Sequence, residues 1–178
     1  MTTRKTRFVV LCEDKQQEVF ARKYLKARNI RYKVTYNTCP KGKQAGEHHV
    51  RKEYAREVQE LRRRPNENVA LIVIIDADTG PVANRIQQLD QQLSQAGLQK
   101  REEHERIAIF VPKRNIETWI AFAAGEAVDE LTTYRKLEKE SDCAPSVQHL
   151  AHQICPSGLS TDAPQSLHFA CHELKRIL

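Results

Sequence analysis

Apolar and polar positions along this chain change period several times, and each change marks an element. Arg7 to Cys12 (RFVVLC) is a short apolar, β-branched run that stops at Glu13-Asp14, which predicts a buried strand. Residues 14–28 then space Val19, Phe20, Tyr24, Leu25 and Ala27 at helical intervals, with Asp14 as the N-cap. Arg31 to Thr38 alternates and reads as a second strand, nearer an edge. A Gly/Pro/Lys loop follows at Pro40 to Gly46, and then a charged helix over 48–63 with a thin stripe of Val50, Tyr54, Val58 and Leu61. Val69 to Ile75 is the most apolar stretch, as expected of a central parallel strand covered on both faces. Pro81 opens a helix to about Ala96, and Gly97 stops it. Ile107 to Val111 is a fourth strand, and Ile116 to Ala124 an apolar helix.

The alternation β-α-β-α-β-α-β-α predicts an α/β fold, a mainly parallel sheet of about four strands flanked by helices. Residues 126–178 contain no strand pattern. They read as a small helical C-terminal extension with helices near 129–140, 145–155 and 164–177, punctuated by Pro145, Pro156-Ser157-Gly158 and Pro164. The expected division is therefore residues 1–125 as the α/β domain and 126–178 as the extension.

Composition narrows the class. No apolar run approaches the roughly 20 residues of a membrane span, and the apolar stretch after the basic start is too short for a signal peptide. A cytoplasmic protein with no membrane partner is the expectation. The cysteines (Cys12, Cys39, Cys143, Cys155, Cys171) are odd in number and lack CxxC spacing, which argues against a disulfide framework. The formal net charge of +6 is uneven. Residues 1–64 carry 18 Lys/Arg against 7 Asp/Glu, and residues 65–178 carry 11 against 16. A basic half suits a polyanionic partner such as nucleic acid, and equally suits a solvated helix face.

The candidate chemistry sits where the strands end. In an open α/β sheet, ligands bind outside the carboxyl ends of the strands, near the switch point. The first strand ends in Glu13 with Asp14 beside it, and the third in Asp76-Ala77-Asp78. If the backbone stays extended, Asp76 and Asp78 face the same way. Carboxylates held together repel unless a cation or proton lies between them. Hard oxygen donors in this number suit Mg2+ or Mn2+, ions that polarise phosphate and activate water. Asp78-Thr79-Gly80-Pro81 would also serve as a helix cap; the earlier strand ending in Glu13 makes the metal reading more specific.

These residues carry a resemblance. VVLCE before a helix, and VALIVIIDADTG some sixty residues later, resemble the Toprim domain of topoisomerases, primases and OLD-type nucleases, over roughly residues 7–124. Arg114-Asn115-Ile116-Glu117-Thr118-Trp119 resembles the helix after the fourth strand in small stand-alone Toprim-like proteins of the RloB type, which occur near phage-defence genes. The resemblance implies that Glu13 is an acid/base or metal ligand and that Asp76 and Asp78 hold the metal. One departure is Asp14, where many Toprim domains have glycine.

Glu117 is a further candidate ligand, or simply an acid favoured at a helix N-terminus. Lys113 and Arg114, on the turn before that helix, are candidates to steady a phosphate. Lys41, Lys43, His48 and His49 form a second polar cluster, either a guide for nucleic acid or a solvated loop. His149, His152 and Cys155, and His168, Cys171 and His172, share helical faces and carry zinc-ligand chemistry. Their spacing matches no standard closed zinc site, and the same helices need a packing face. The expected function is a metal-dependent nuclease acting on DNA or RNA. The alternative is a non-catalytic Toprim-like subunit that binds an ATPase partner of the SMC/ABC type.

Overall fold

A computed structural model describes residues 5–155 and 158–178. The basic start of the chain, before Lys5, and the Pro156-Ser157 part of the expected helix break lie outside the described residues. Four strands, β1 (Arg7–Cys12), β2 (Val34–Thr38), β3 (Val69–Ile74) and β4 (Ile107–Phe110), form one sheet in the order β2-β1-β3-β4. All its pairings are parallel. The helices are α1 (Lys15–Ala27), α2 (Gly46–Arg62), α3 (Val82–Gln95), α4 (Ile116–Ala123), α5 (Ala144–His149) and α6 (Gln165–Leu174). The α/β fold matches the expectation, with the second strand beginning three residues later than the alternation suggested.

The apolar period explains the two layers. Odd positions of β3, Leu71 and Val73, join Leu11, Val50, Tyr54, Leu89 and Ile109 beneath α2 and α3. Even positions, Ile72 and Ile74, join Phe8, Val10, Ala21 and Leu25 beneath α1. All six residues of β3 are buried, as an unbroken apolar run requires of a strand covered on both faces.

The C-terminal part shares this core. Ile177 packs against the α1 face of the sheet, while Cys143, Val147, Leu150, Leu167 and Ala170 close over Phe20, Ile116 and Trp119. The expected helix over 129–140 is absent. Asp129 accepts hydrogen bonds from the Leu131 and Thr132 amides and from the Thr132 hydroxyl, and the Asp129 amide donates to the Tyr134 hydroxyl. Those local bonds give the backbone an alternative to the helix ladder. The expected helix over 145–155 is α5 followed by a π-helical turn, Leu150–Ile154.

One disulfide is present, against the expectation from the cysteine count and spacing. Cys155, just beyond the π-helical turn, and Cys171 on α6 are disulfide-bonded, with Cα atoms 5.4 Å apart. An odd count and irregular spacing do not reveal a pair that only the packing of two helices brings into range. The bond also removes both thiolates from the zinc-ligand set suggested for these helices. Cys12, Cys39 and Cys143 are free and buried. No helix among the described residues is long and apolar enough to cross a membrane.

Candidate active site at the sheet switch point

The chain leaves β1 toward β2 on one side and β3 toward β4 on the other, so the switch point lies between β1 and β3. Their register sets Leu11 opposite Val73. Glu13 and Asp76 therefore leave neighbouring strands side by side, and they touch: the Asp76 amide donates to Glu13 Oε1 at 2.6 Å.

Gln17 completes the pair. Its side chain is fully buried, its Oε1 accepts from the Glu13 amide at 2.9 Å, and its Nε2 donates to Asp76 Oδ1 at 2.9 Å. Asp14 acts as the N-cap of α1, its carboxylate accepting from the Gln17 amide, so the first turn of α1 is fixed where Gln17 must sit. The start of α2 lies against the same spot. A Cβ at Gly46 would fall 2.7 Å from Glu13 Cβ and 2.8 Å from its carbonyl oxygen. Only glycine permits that approach. Gln17 and Gly46 escaped the sequence reading: the first resembles any polar residue of a helix start, and the second belonged to a stretch read as loop.

Electrostatically the pair is uphill. Burial pushes the Glu13 carboxyl up to about 8 from an ordinary 4.5; the Asp76 amide pulls it down, and Asp78 and Asp14 push it up further. Asp76 is raised well above its ordinary range, first by burial and then by Glu13, Asp14 and Glu117, against the Gln17 hydrogen bond. Glu117, buried in the first turn of α4, is raised mainly by burial, with Asp14 adding to it. Like charges and low exposure thus converge on one strand end.

Asp78 departs from the expectation that it faces the same way as Asp76. The strand ends at Ile74, and Asp78 has φ 53°, in the left-handed region, where extended-chain alternation no longer applies. Asp78 and Arg114 (φ 67°) exchange backbone hydrogen bonds of 3.2 and 3.1 Å and tie together the turns after β3 and β4. The Asp78 side chain is 66% exposed and pairs with Arg85 Nη2 at 2.9 Å. Arg85 also donates from Nε to the Asp76 carbonyl at 2.8 Å. No sequence spacing pointed to Arg85.

The cations named from sequence have work inside the protein. Lys113 Nζ donates to the Thr79 and Gly80 carbonyls, and the Arg114 guanidinium donates to the Thr133 hydroxyl. His49 is buried, bonded to Asn37 and Gln44, whereas Lys41, Lys43 and His48 are exposed. Glu13 opens on a groove of about 560 Å³ shared with Asp14, Lys15, Thr38 and Lys41. Glu117 opens on another, of about 450 Å³, with Tyr134 and Lys136. A smaller apolar cavity of about 60 Å³, lined by residues such as Phe20, Ile74 and Trp119, lies below α1, away from these acids.

Magnesium or manganese is the group that the sequence implies here, and of the expected ligands the structure sets two, Glu13 and Asp76, side by side. Glu13 Oε2 and Asp76 Oδ2 accept no hydrogen bond from another described residue, and a divalent cation would relieve the repulsion between the two acids. Among the described residues no group of three or more His, Cys, Asp or Glu side chains is gathered for a metal ion. The third acid, Asp78, is turned to Arg85.

The fold and this site define an open, all-parallel α/β protein with two neighbouring buried carboxylates at its switch point. The chain matches no family model, no curated protein and no solved structure.

Proposed function

We propose that this protein is a divalent-metal-dependent nuclease, hydrolysing phosphodiester bonds of DNA or RNA at the Glu13–Asp76 pair. The observation that carries this is the direct Glu13–Asp76 contact at the switch point, with both carboxyls raised and one oxygen of each accepting no hydrogen bond from another described residue. A bound Mg2+ or Mn2+ would polarise the phosphate and make a bound water acidic. Asp76 would hold the ion, with Asp78 or Glu117 as further ligands. Glu13 would act as the base or as a further metal ligand, and its Oε1, held by the Asp76 amide, leaves Oε2 as the acting atom. Gln17 fixes the spacing of the pair. Lys41, exposed on the Glu13 groove, is better situated to meet a phosphate than Lys113 or Arg114. The basic first half of the chain supports backbone binding without sequence preference.

This reading keeps the Toprim resemblance and a role in phage defence as parts of the proposal, in the cytoplasm. The Cys155–Cys171 disulfide is the feature at odds with a reducing compartment. The pairing of Asp78 with Arg85 favours a second reading, a non-catalytic subunit that binds an SMC/ABC-type ATPase and uses the acids to hold an ion.

The test is incubation of the protein with labelled single- and double-stranded DNA and RNA in Mg2+, Mn2+ or EDTA. Cutting is expected in metal alone, with Glu13→Gln and Asp76→Ala each slowing it by about 10²–10⁴-fold. Cutting that survives both substitutions rejects this site. No cutting by the wild type, alone or with an ATPase encoded beside it, supports the binding-subunit reading.

A further inference from the structure

Resting on the nucleic-acid reading above, we propose that the strand entering the Glu13 groove is single-stranded, and that Arg22, held over Tyr36, is the platform on which one of its bases stacks.

Arg22 lies on α1, with its guanidinium carbon 4.1 Å from the centre of the Tyr36 ring. Its Nη2 donates to Glu18 Oε1 at 2.9 Å, so a ring and a carboxylate fix the group together. The side chain is nevertheless 53% exposed, and its Nε and Nη1 donate to no described residue. A guanidinium held over one ring leaves its other face to solvent, and unpaired bases stack on such planes as they do on aromatic rings. Because Arg22 is ordered beforehand, little rotamer freedom is lost when a base arrives.

Glu18 joins this platform to the groove. Its Oε1 also accepts from Lys15 Nζ at 2.9 Å, and its Oε2 from the Thr38 hydroxyl at 2.8 Å. Lys15, Glu18 and Thr38 line the groove on which Glu13 opens, together with Lys41. Two cations share the one carboxylate, so the network keeps a net positive charge beside the groove. Lys15 and Arg22 are seven residues apart on α1, about 10 Å along the helix, the length of about three stacked nucleotides. A phosphate at Lys15 thus leaves a base of the same strand within reach of Arg22. A duplex cannot use the platform, because its base faces are already covered by their neighbours. An acidic peptide would use the charge of Arg22 and leave its open face idle.

Fluorescence anisotropy in EDTA tests this, with labelled oligothymidylate, its duplex with oligodeoxyadenylate, and an abasic strand of equal length as probes. The wild type is expected to bind oligothymidylate more tightly than either other probe; equal binding of all three, or no binding, overturns the proposal. Arg22→Lys keeps the charge and loses the plane. It is expected to weaken oligothymidylate binding by roughly 5–150-fold, the factor for one stacked base, while its salt dependence stays as in wild type. The penalty for the abasic strand is expected to shrink by the same factor in Arg22→Lys. An equal abasic penalty in both proteins, or wild-type affinity in Arg22→Lys, shows a charge contact alone and overturns the platform. Tyr36→Phe, which keeps the ring, is expected to bind as wild type, and Tyr36→Leu to bind more weakly with an unchanged circular dichroism spectrum; wild-type binding by a folded Tyr36→Leu removes the ring from the platform and overturns it as stated. Cutting in Mg2+ is followed separately. Binding as expected without cutting rejects the nuclease reading and supports the platform, whereas cutting lost in Glu13→Gln alongside wild-type binding by Arg22→Lys supports the nuclease and overturns the platform.

Discussion

Asp76 and Glu173 are both carboxylates of the interior, 8% and 3% exposed, and they keep opposite company. Glu173, on α6, meets Arg101 at 2.5 and 3.0 Å and Arg176 at 3.5 Å, and accepts the Ile109 amide at 2.9 Å. Arg101 in turn donates to the Ile107 carbonyl. This ion pair occupies hydrogen-bonding groups on the outer edge of β4, which would otherwise stand open to another chain. Asp76 receives one side-chain amide, from Gln17, and its other near neighbours include Glu13, Asp14 and Glu117. A buried acid that holds the fold together is given cations. A buried acid surrounded by like charges is held at a cost in stability, and such a cost is the usual mark of a working site.

Several measurements can break or sharpen that contrast. The largest effect is expected from paired substitutions in the protein without metal. Glu173→Ala leaves Arg101 buried without its partner and should lower unfolding stability by roughly 3–5 kcal/mol. Asp76→Asn removes a repelled charge, leaves an oxygen for Gln17, and should raise stability by roughly 0.5–2 kcal/mol. Chemical denaturation of both variants reads the two signs, and a loss of stability in Asp76→Asn would erase the distinction.

The pH dependence comes next. A carboxyl raised in the folded state is favourable while protonated, so stability is full below about 4.5 and is lost as pH rises toward about 8. The denaturation midpoint without metal should therefore fall between pH 5 and pH 8, and Glu13→Gln should flatten the fall. Added Mg2+ should restore stability at pH 8 more than at pH 5, since protons compete for the same oxygens. Glu18 has the opposite sign. Burial pushes it up, but hydrogen bonds from Lys15, Arg22 and Thr38 outweigh that and lower it to about 2, so its contribution is lost only as pH falls from about 4.5. A midpoint independent of pH between 5 and 8 would count against the raised pair.

The smallest expected effect is at Gly46. A methyl there meets Glu13 at 2.7 Å, so Gly46→Ala should cost roughly 1–3 kcal/mol as α2 shifts outward. The proposed nuclease activity should fall by more than the stability loss accounts for, because the shift moves Glu13. Unchanged activity would show that the approach is packing alone.

Sequence determined the strands and the place of the acids. The unbroken run Val69 to Ile75 could be buried on both faces only as an inner strand, and the abrupt apolar-to-acid steps at Cys12-Glu13 and Ile75-Asp76 put two carboxylates at strand ends. Periodicity is a local property, so it is legible without the fold. Tertiary structure decided what each acid touches. Asp78 left the expected face because its backbone turns left-handed where the β3 and β4 turns cross-bond, an exchange between residues 36 positions apart. Gln17 and Arg85 became parts of the site through contacts made 59 and 9 residues along the chain. The Cys155–Cys171 bond depended on how two helices pack. Side-chain pairing is set by distances in space, which hydrophobic spacing along the chain does not encode.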